Sequence, residues 1–382
     1  MNSIAQIEIS RKNLQNNVAQ VRAILRKNKN TKNVKIVGAV KANAYGHGVK
    51  EVVSIIEKSV DYFQVDDISE LREIRQYTNK PVFVFGYVSI EQLPEFVELG
   101  GILGVYDLNI AKKLQQILET KKRRLTVHIK IDSFLGRQGI IKSDAEAFFK
   151  KMLEFDRLDV EAVYSHFSNI EDTTNLKHAK LQHKDLLEVK EIAMQAGFKN
   201  LFHHISATSG FLSDQKNNWG GSILRLGIGL YGLWPSVFLK KSFEQKIKLK
   251  PVMRWVTQIA QVKTVPKNFP IGYGLTFITK KETTVAVIPQ GYSDGYDRAF
   301  SNNGEVLICG KKCPIMGRIA MNMFVVDAGN CAGKISAGDE VVLLGKQGKS
   351  EITAEDLADR IGTINYEVVT RVWPKLERKI TE

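Results

Sequence analysis

Lys41 stands where an apolar, β-rich run ends, in Val40-Lys41-Ala42-Asn43-Ala44-Tyr45-Gly46-His47-Gly48. An amine in that position can attack a carbonyl or be held as a Schiff base, provided its surroundings favour the neutral form. Taken alone, a lysine after a strand reads better as a solvated cation. A second place for chemistry is Leu224-Arg225-Leu226-Gly227-Ile228-Gly229-Leu230-Tyr231-Gly232, where glycines would let an anion approach backbone N–H groups. Without company it is an ordinary strand-end turn. His166, in Tyr164-Ser165-His166-Phe167, reads by itself as a histidine satisfied in a wall. Cys309 and Cys313 could be half of a metal site, but no second pair follows and no histidine completes a set of four, so no metal is expected.

Such residues work together only if the elements carrying them end at one place. Short apolar runs alternate with amphipathic segments through the first two-thirds of the chain. Eight runs can be counted: Ile36–Tyr45, Asp61–Val65, Pro81–Phe85, Ile102–Tyr106, Leu125–Ile131, Val160–His166, Phe202–Ala207 and Ile223–Leu230. Helical patterns such as Leu71–Tyr77, Ala111–Leu118 and Leu176–Ala196 lie between them. The pattern fits a closed (β/α)8 barrel, in which active sites gather at the C-terminal ends of the strands. An open doubly wound sheet is the alternative, but it wants a G-x-G-x-x-G turn after its first strand, and none is present.

Beyond residue 245 the texture changes to short alternating strands, Trp255–Val262, Thr284–Ile288, Glu305–Ile308, Phe324–Asp327 and Glu340–Leu344. One helix interrupts them, Ala354–Ile361, capped by Thr353 with Asp356 three positions on and stopped by Gly362. The expected organisation is therefore a barrel over 10–244 and a mainly β domain over 245–382, with an N-terminal strand within 1–9 that could belong to either.

The nonapeptide around Lys41 resembles the cofactor-lysine motif of the alanine racemase family, and further motifs follow in family order as far as Asn365-Tyr366-Glu367. The resemblance implies a pyridoxal 5'-phosphate-dependent isomerase that interconverts L-alanine and D-alanine, supplying D-alanine for a bacterial cell wall. It makes Lys41 the cofactor lysine and one of two opposed acid/base groups. The other is Tyr273, in Ile271-Gly272-Tyr273-Gly274-Leu275-Thr276-Phe277, which in the family comes from the neighbouring subunit. A homodimer with shared sites is thereby implied. Two groups are needed because racemisation takes a proton from one face of Cα and returns one to the other.

The same resemblance sets Arg225 against the cofactor's pyridine nitrogen. A guanidinium does not give up its proton, so that nitrogen stays an acceptor and the ring a weaker electron sink, which suits prompt return of a proton. His166 links this arginine to Tyr273. Arg137, in Lys130-Ile131-Asp132-Ser133-Phe134-Leu135-Gly136-Arg137-Gln138-Gly139, becomes the clamp for the substrate carboxylate, supported by Lys130, which is often carbamylated in the family. Phe134 departs from the small residue usual there. Phosphate donors are Ser209, Tyr45, Tyr366 and the N–H groups of Gly227 and Ile228. Tyr292 and Arg298, in Gly291-Tyr292-Ser293-Asp294-Gly295-Tyr296-Asp297-Arg298, line the entrance, and the backbone of Met321 lies near the substrate carboxylate. Ala320 and Asn322 stand where the family usually carries cysteine and aspartate, which leaves a serine or lysine racemase as an alternative. A non-catalytic pyridoxal-phosphate-binding protein is a further alternative, though such proteins generally lack a second domain like this one.

Composition bounds the rest. The formal net charge is +14, yet its clusters, such as Lys121-Lys122-Arg123-Arg124, come without a nucleic-acid recognition motif, so a solvated basic surface is the reading and no nucleic-acid partner is expected. The three cysteines, Cys309, Cys313 and Cys331, are too few and odd in number for a disulfide framework. The opening residues lack the apolar core of a signal peptide, and no apolar run reaches the ~18 residues of a membrane span, so a cytoplasmic protein without a membrane partner is expected.

Overall fold

The computed structural model describes every residue except 1–3, 28, 214–218 and 220. The chain forms two compact units, one of Leu14–Ala42 with Val52–Lys250, the other of Met1–Asn13, Asn43–Glu51 and Pro251–Glu382. Strand β1 (Gln6–Ser10) belongs to the second unit. The next eight strands build the first: β2 (Lys35–Ala39), β3 (Tyr62–Val65), β4 (Val82–Val84), β5 (Ile102–Val105), β6 (Leu125–Lys130), β7 (Leu158–Tyr164), β8 (Phe202–His204) and β9 (Ile223–Leu226). All pair in parallel, in the order β8-β7-β6-β5-β4-β3-β2-β9. The ring is nearly closed between β8 and β9 by Ser222 N–H to His203 O at 3.1 Å and Arg225 N–H to Ser206 O at 3.2 Å. This is the expected (β/α)8 architecture. Its strands are buried on both faces, as parallel sheets require; every residue of β5 and of β9 is buried.

The β2–β9 register sets Val37 opposite Arg225 and Gly38 opposite Leu226, so the strand that leads to Lys41 runs beside the one that carries Arg225. A buried tyrosine braces this corner, with Tyr231 donating its hydroxyl to Ala39 O at 2.7 Å. Tyr231→Phe removes the donor and leaves that carbonyl short of a partner, which should cost about 1–2 kcal/mol. A lower urea midpoint with an unchanged slope is the expected result, and an unchanged midpoint would show that the bond is dispensable.

Two runs were expected to continue as strands and do not. The first stops at Ala39, and Lys41–Tyr45 coil into a helical turn. The eighth stops at Leu226, and Ile228–Tyr231 form a 3-10 turn. Both departures lie at the barrel mouth, where the backbone must leave the sheet.

The second unit holds a ten-stranded sheet. Its strands are β1, then β10 (Met253–Gln258), β11 (Gln261–Val265), β14 (Thr283–Ile288), β15 (Glu305–Ile308), β16 (Lys311–Met316), β17 (Phe324–Asp327), β18 (Glu340–Gln347), β19 (Ser350–Ile352) and β20 (Glu377–Thr381), while β12 (Pro270–Ile271) and β13 (Phe277–Ile278) form a separate hairpin. The single strand expected over Trp255–Val262 is two. Ile259 N–H bonds to Asp339 O and Ala260 N–H to Val287 O, so the backbone changes partners there and the strand breaks. The helix Ala354–Ile361 has the expected ends: Thr353 and Asp356 cap each other's N–H groups, and Gly362 closes it at φ +68°. Among the described residues no helix is long and apolar enough to cross a membrane.

Candidate active site

Lys41 opens a turn of unusual hand. Ala42, Asn43, Ala44 and Tyr45 all have φ of 52–53°. For residues with a Cβ this left-handed conformation costs about 1–2 kcal/mol each, so other contacts must hold it. Ala42 N–H donates to Glu70 Oε1 at 2.6 Å, and Asp66 N–H to Glu70 Oε2 at 2.7 Å. Further along, Gly48 N–H bonds to Asn43 O, Val49 N–H to Asn43 Oδ1, and Arg378 Nη2 to Gly46 O at 2.9 Å. Gly46 has no substitute, because a Cβ there would lie 1.9 Å from Val369 O. Glu70 sits on the helix Ile68–Ile74, whose N-cap is Asp67. Burial raises the Glu70 pKa, against the two N–H bonds that favour its charge. The Lys41 ammonium lies 3.4 Å from Asp66 Oδ1, both partly exposed.

The barrel interior is filled with stacked rings. Tyr164 and His204 lie 5.1 Å apart and nearly parallel, and Phe85 stacks on Tyr164 at 4.4 Å. On that floor rests the Arg225 guanidinium, 5.6 Å from the Phe85 ring and 5.8 Å from Tyr164. Arg225 Nη2 donates to Ser165 O and to Ile205 O, both at 2.7 Å. It also meets His166 Nδ1 at 3.4 Å. Since arginine only donates, His166 accepts through Nδ1 and its proton sits on Nε2. Burial, then the charges of Arg225, Lys130, Arg137 and Lys41, hold the His166 pKa well below the ordinary value.

Lys130 is buried at the end of β6, with Nζ 4.7 Å from the Tyr164 ring. Burial and the positive charges of Arg225 and Arg137 push its pKa well down, which favours the neutral amine. The loop that follows carries Arg137. Asp132 shapes it, its carboxylate accepting the N–H groups of Leu135, Gly136 and Arg137 at 2.9, 2.9 and 3.0 Å. Arg137 itself is exposed. Phe134 sits at φ +60°, a conformation better suited to a small residue than to a phenylalanine.

Ser209 is buried on the helix Thr208–Ser213, and its hydroxyl meets Glu171 Oε1 at 2.6 Å. Gly227 N–H is already donated to Thr208 Oγ1 at 3.2 Å. Of the two N–H groups expected to face an anion, that leaves Ile228's without a described partner.

The remaining candidates lie in the second unit. Tyr45 and Tyr366 are neighbours, with ring centroids 6.2 Å apart. Tyr273 projects from the β12–β13 hairpin and is 72% exposed. Gly272 and Gly274 flank it with φ +73° and +72°, and a Cβ on Gly274 would meet the Arg318 guanidinium at 2.7 Å. The segments around Tyr292 and Met321 zip together, Tyr292 N–H bonding to Ala320 O and Ser293 N–H to Met321 O. Asn322 Nδ2 donates to Ser293 Oγ at 2.9 Å. Arg298 is exposed, on a turn capped by Asp297.

Three participants went unread in the sequence. Glu70, Glu171 and Asp132 act through backbone or side-chain hydrogen bonds that depend on where their elements lie in space. Only Asp132, three residues before the first N–H it caps, had a local signal.

Residues 9–235 match the family model for the alanine racemase N-terminal domain, and residues 252–380 match that for the alanine racemase C-terminal domain. Alanine racemase 2 of Caldanaerobacter subterraneus subsp. tengcongensis is 36% identical over 348 residues, 90% of this chain and 88% of that protein. The alanine racemase of Clostridium difficile 630 superposes with a TM-score of 0.90 at 30% identity, covering 100% of this chain and 97% of the other. A Bartonella henselae alanine racemase with covalently bound pyridoxal phosphate shares the fold, with a TM-score of 0.86 at 22% identity over 100% of both chains.

Proposed function

The chain belongs to the alanine racemase family, and we propose that it interconverts L-alanine and D-alanine at the barrel mouth, with Lys41 and Tyr273 as opposed acid/base groups. The observation that carries this is the Arg225 guanidinium, pinned by Ser165 O and Ile205 O and bonded to a neutral His166, beside the strand that leads to Lys41. An arginine so fixed is a permanent donor, suited to a ring nitrogen that must not be protonated.

The donor set fits pyridoxal 5'-phosphate. Ser209 and the Ile228 N–H offer hydrogens to a phosphate and Lys41 offers the amine, and the family resemblance adds the hydroxyls of Tyr45 and Tyr366. When bound, that group supplies an aldehyde for an amine and a ring that accepts the electron pair left at Cα. The protein's own residues do the remainder. Arg137 grips the substrate carboxylate with a guanidinium fork, and the Met321 backbone borders it. Burial favours the neutral Lys130 amine that could take up carbon dioxide as a carbamate, releasing a proton, and the resulting negative charge would orient Arg137. Lys41 moves a proton at one face of Cα and Tyr273 at the other, while His166, donating through Nε2, connects the phenol to Arg225. Tyr292 and Arg298 border the way in.

Tyr273 comes from a second copy of the chain in this reading. Its hairpin exposes Tyr273, Leu275 and Ile278, and the same unit exposes Tyr292, Met321 and Met323. A homodimer would cover it. The cytoplasm, which keeps thiols reduced, suits three unpaired cysteines.

The direct test incubates the protein and pyridoxal phosphate with L-alanine, L-serine or L-lysine in deuterated water, followed by chiral chromatography and mass spectrometry. D-alanine carrying deuterium at Cα, formed ahead of the other D-amino acids, is the expected product. Preference for serine or lysine would reassign the substrate, and no exchange with any of the three would remove the catalytic reading.

A further inference from the structure

A site meant for a phosphate dianion holds a carboxylate against one of its donors. Ser209 Oγ lies 2.6 Å from Glu171 Oε1. Ser209 is buried, and Glu171 comes from the loop after β7, where its backbone carbonyl also accepts the Ser236 hydroxyl at 2.6 Å. A serine hydroxyl has one hydrogen and two lone pairs. If Glu171 is ionised, that hydrogen points at the carboxylate, and both the serine lone pairs and the Glu171 charge face any arriving phosphate. If Glu171 is protonated, the acid donates to Ser209 Oγ and the serine hydrogen is free for a phosphate oxygen. The same pair of residues thus either withholds a donor or presents one.

We infer that Glu171 controls the phosphate end of the site through its protonation, releasing the Ser209 hydroxyl to the cofactor phosphate as the acid and withdrawing it as the carboxylate. The inference rests on the proposed role of Ser209. Burial raises the Glu171 pKa, the Ser209 hydrogen bond lowers it, and the negative charge of Asp172 raises it again. Ser209 and the Ser236 hydroxyl, its neighbours from the following elements, are neutral, so among the described residues Asp172 is the charged group that bears on it.

The test measures equilibrium binding of pyridoxal phosphate, and of pyridoxal as the phosphate-free control, by the full chain and by Glu171→Gln, Glu171→Ala and Ser209→Ala between pH 5 and pH 8.5. Either Glu171 variant should match the parent near pH 5 and bind pyridoxal phosphate about tenfold more tightly at pH 8, the scale of one hydrogen bond to a charged group. The gain should vanish for pyridoxal and fall in the Ser209→Ala background, where only the Glu171 charge is left to act. Comparing variants with the parent at each pH cancels titration of the free phosphate. A ratio that does not change with pH, a gain that persists with pyridoxal, or a gain undiminished without Ser209 overturns the inference. If the parent binds pyridoxal phosphate no better than pyridoxal, the phosphate seat itself is misassigned. If it does bind better and Ser209→Ala erodes the preference, the seat stands whatever Glu171 does.

Discussion

Lys41→Ala and Tyr273→Phe should each lose alanine racemisation by at least about 10²–10⁴-fold, the usual worth of a positioned acid or base, and a mixture of the two inactive proteins should regain it. The recovery follows from where the groups come from. In a hybrid dimer the Lys41→Ala subunit still supplies Tyr273, and the Tyr273→Phe subunit still supplies Lys41, so one of the two sites is whole. After random exchange half of the dimers are hybrids, each with one working site, giving about a quarter of the parent activity. Separate incubation of each variant with L- and D-alanine adds the stereochemical half of the test. The two substitutions should differ in which enantiomer's Cα hydrogen still exchanges with solvent. Equal loss for both enantiomers would count against opposed bases. Failure of the mixture to recover, with hybrids shown to form by differential tagging, would place Tyr273 in the same subunit's site or outside any site.

Acid should destabilise the protein through its buried histidines, with His47 as the clearest case. His47 is fully buried in the turn that follows Lys41, its Nδ1–H bonded to Tyr45 O at 2.9 Å. Desolvation lowers its pKa from 6.5 to about 4, the backbone bonds only partly opposing it. The unfolded chain therefore binds a proton below 6.5 that the folded chain refuses until about 4. Stability from this group is fully present above 6.5 and is lost as pH falls through that window, by about 3 kcal/mol at its lower end. His128, His166 and His204 are depressed in the same direction, mainly by burial, and add to the slope. Urea midpoints measured from pH 7 down to pH 4 should fall steeply for the parent. His47→Asn should be less stable at pH 7, having lost its fit, yet lose about 3 kcal/mol less over the same range. Parallel curves for the two proteins would mean that His47 titrates normally in the folded state.

Much of this molecule was legible as pattern. Hydrophobic period alone marked all eight barrel strands, because a strand buried on both faces must be apolar along its length. The caps of Ala354–Ile361 were readable because capping is local, decided by Thr353, Asp356 and Gly362 within a few residues. Strands β16 and β20 were not: Lys311, Lys312 and Pro314 in one, Glu377, Arg378 and Lys379 in the other, look like turn or surface. They are strands because β15 and β17, or β1, offer them partners.

The site divides in the same way. Lys41, Arg225 and Tyr273 were named from motifs, since residue type and neighbours along the chain already specify what such groups can do. Their state was not. That His166 accepts from Arg225, that Lys130 has its pKa pushed down, and that Ser209 is engaged by Glu171 follow from β6, β7, β8 and β9 ending together around one floor of rings. The left-handed turn from Ala42 to Tyr45 is the sharpest instance. Nothing in Ala-Asn-Ala-Tyr asks for it, and its local cost argues against it; Glu70, from a helix nearly thirty residues on, helps to impose it. Sequence by itself determined which chemical groups exist and which elements carry them, because those depend on neighbours along the chain. Only the tertiary structure decided charge, tautomer and strain, because those are set by desolvation and hydrogen bonds between residues far apart in sequence.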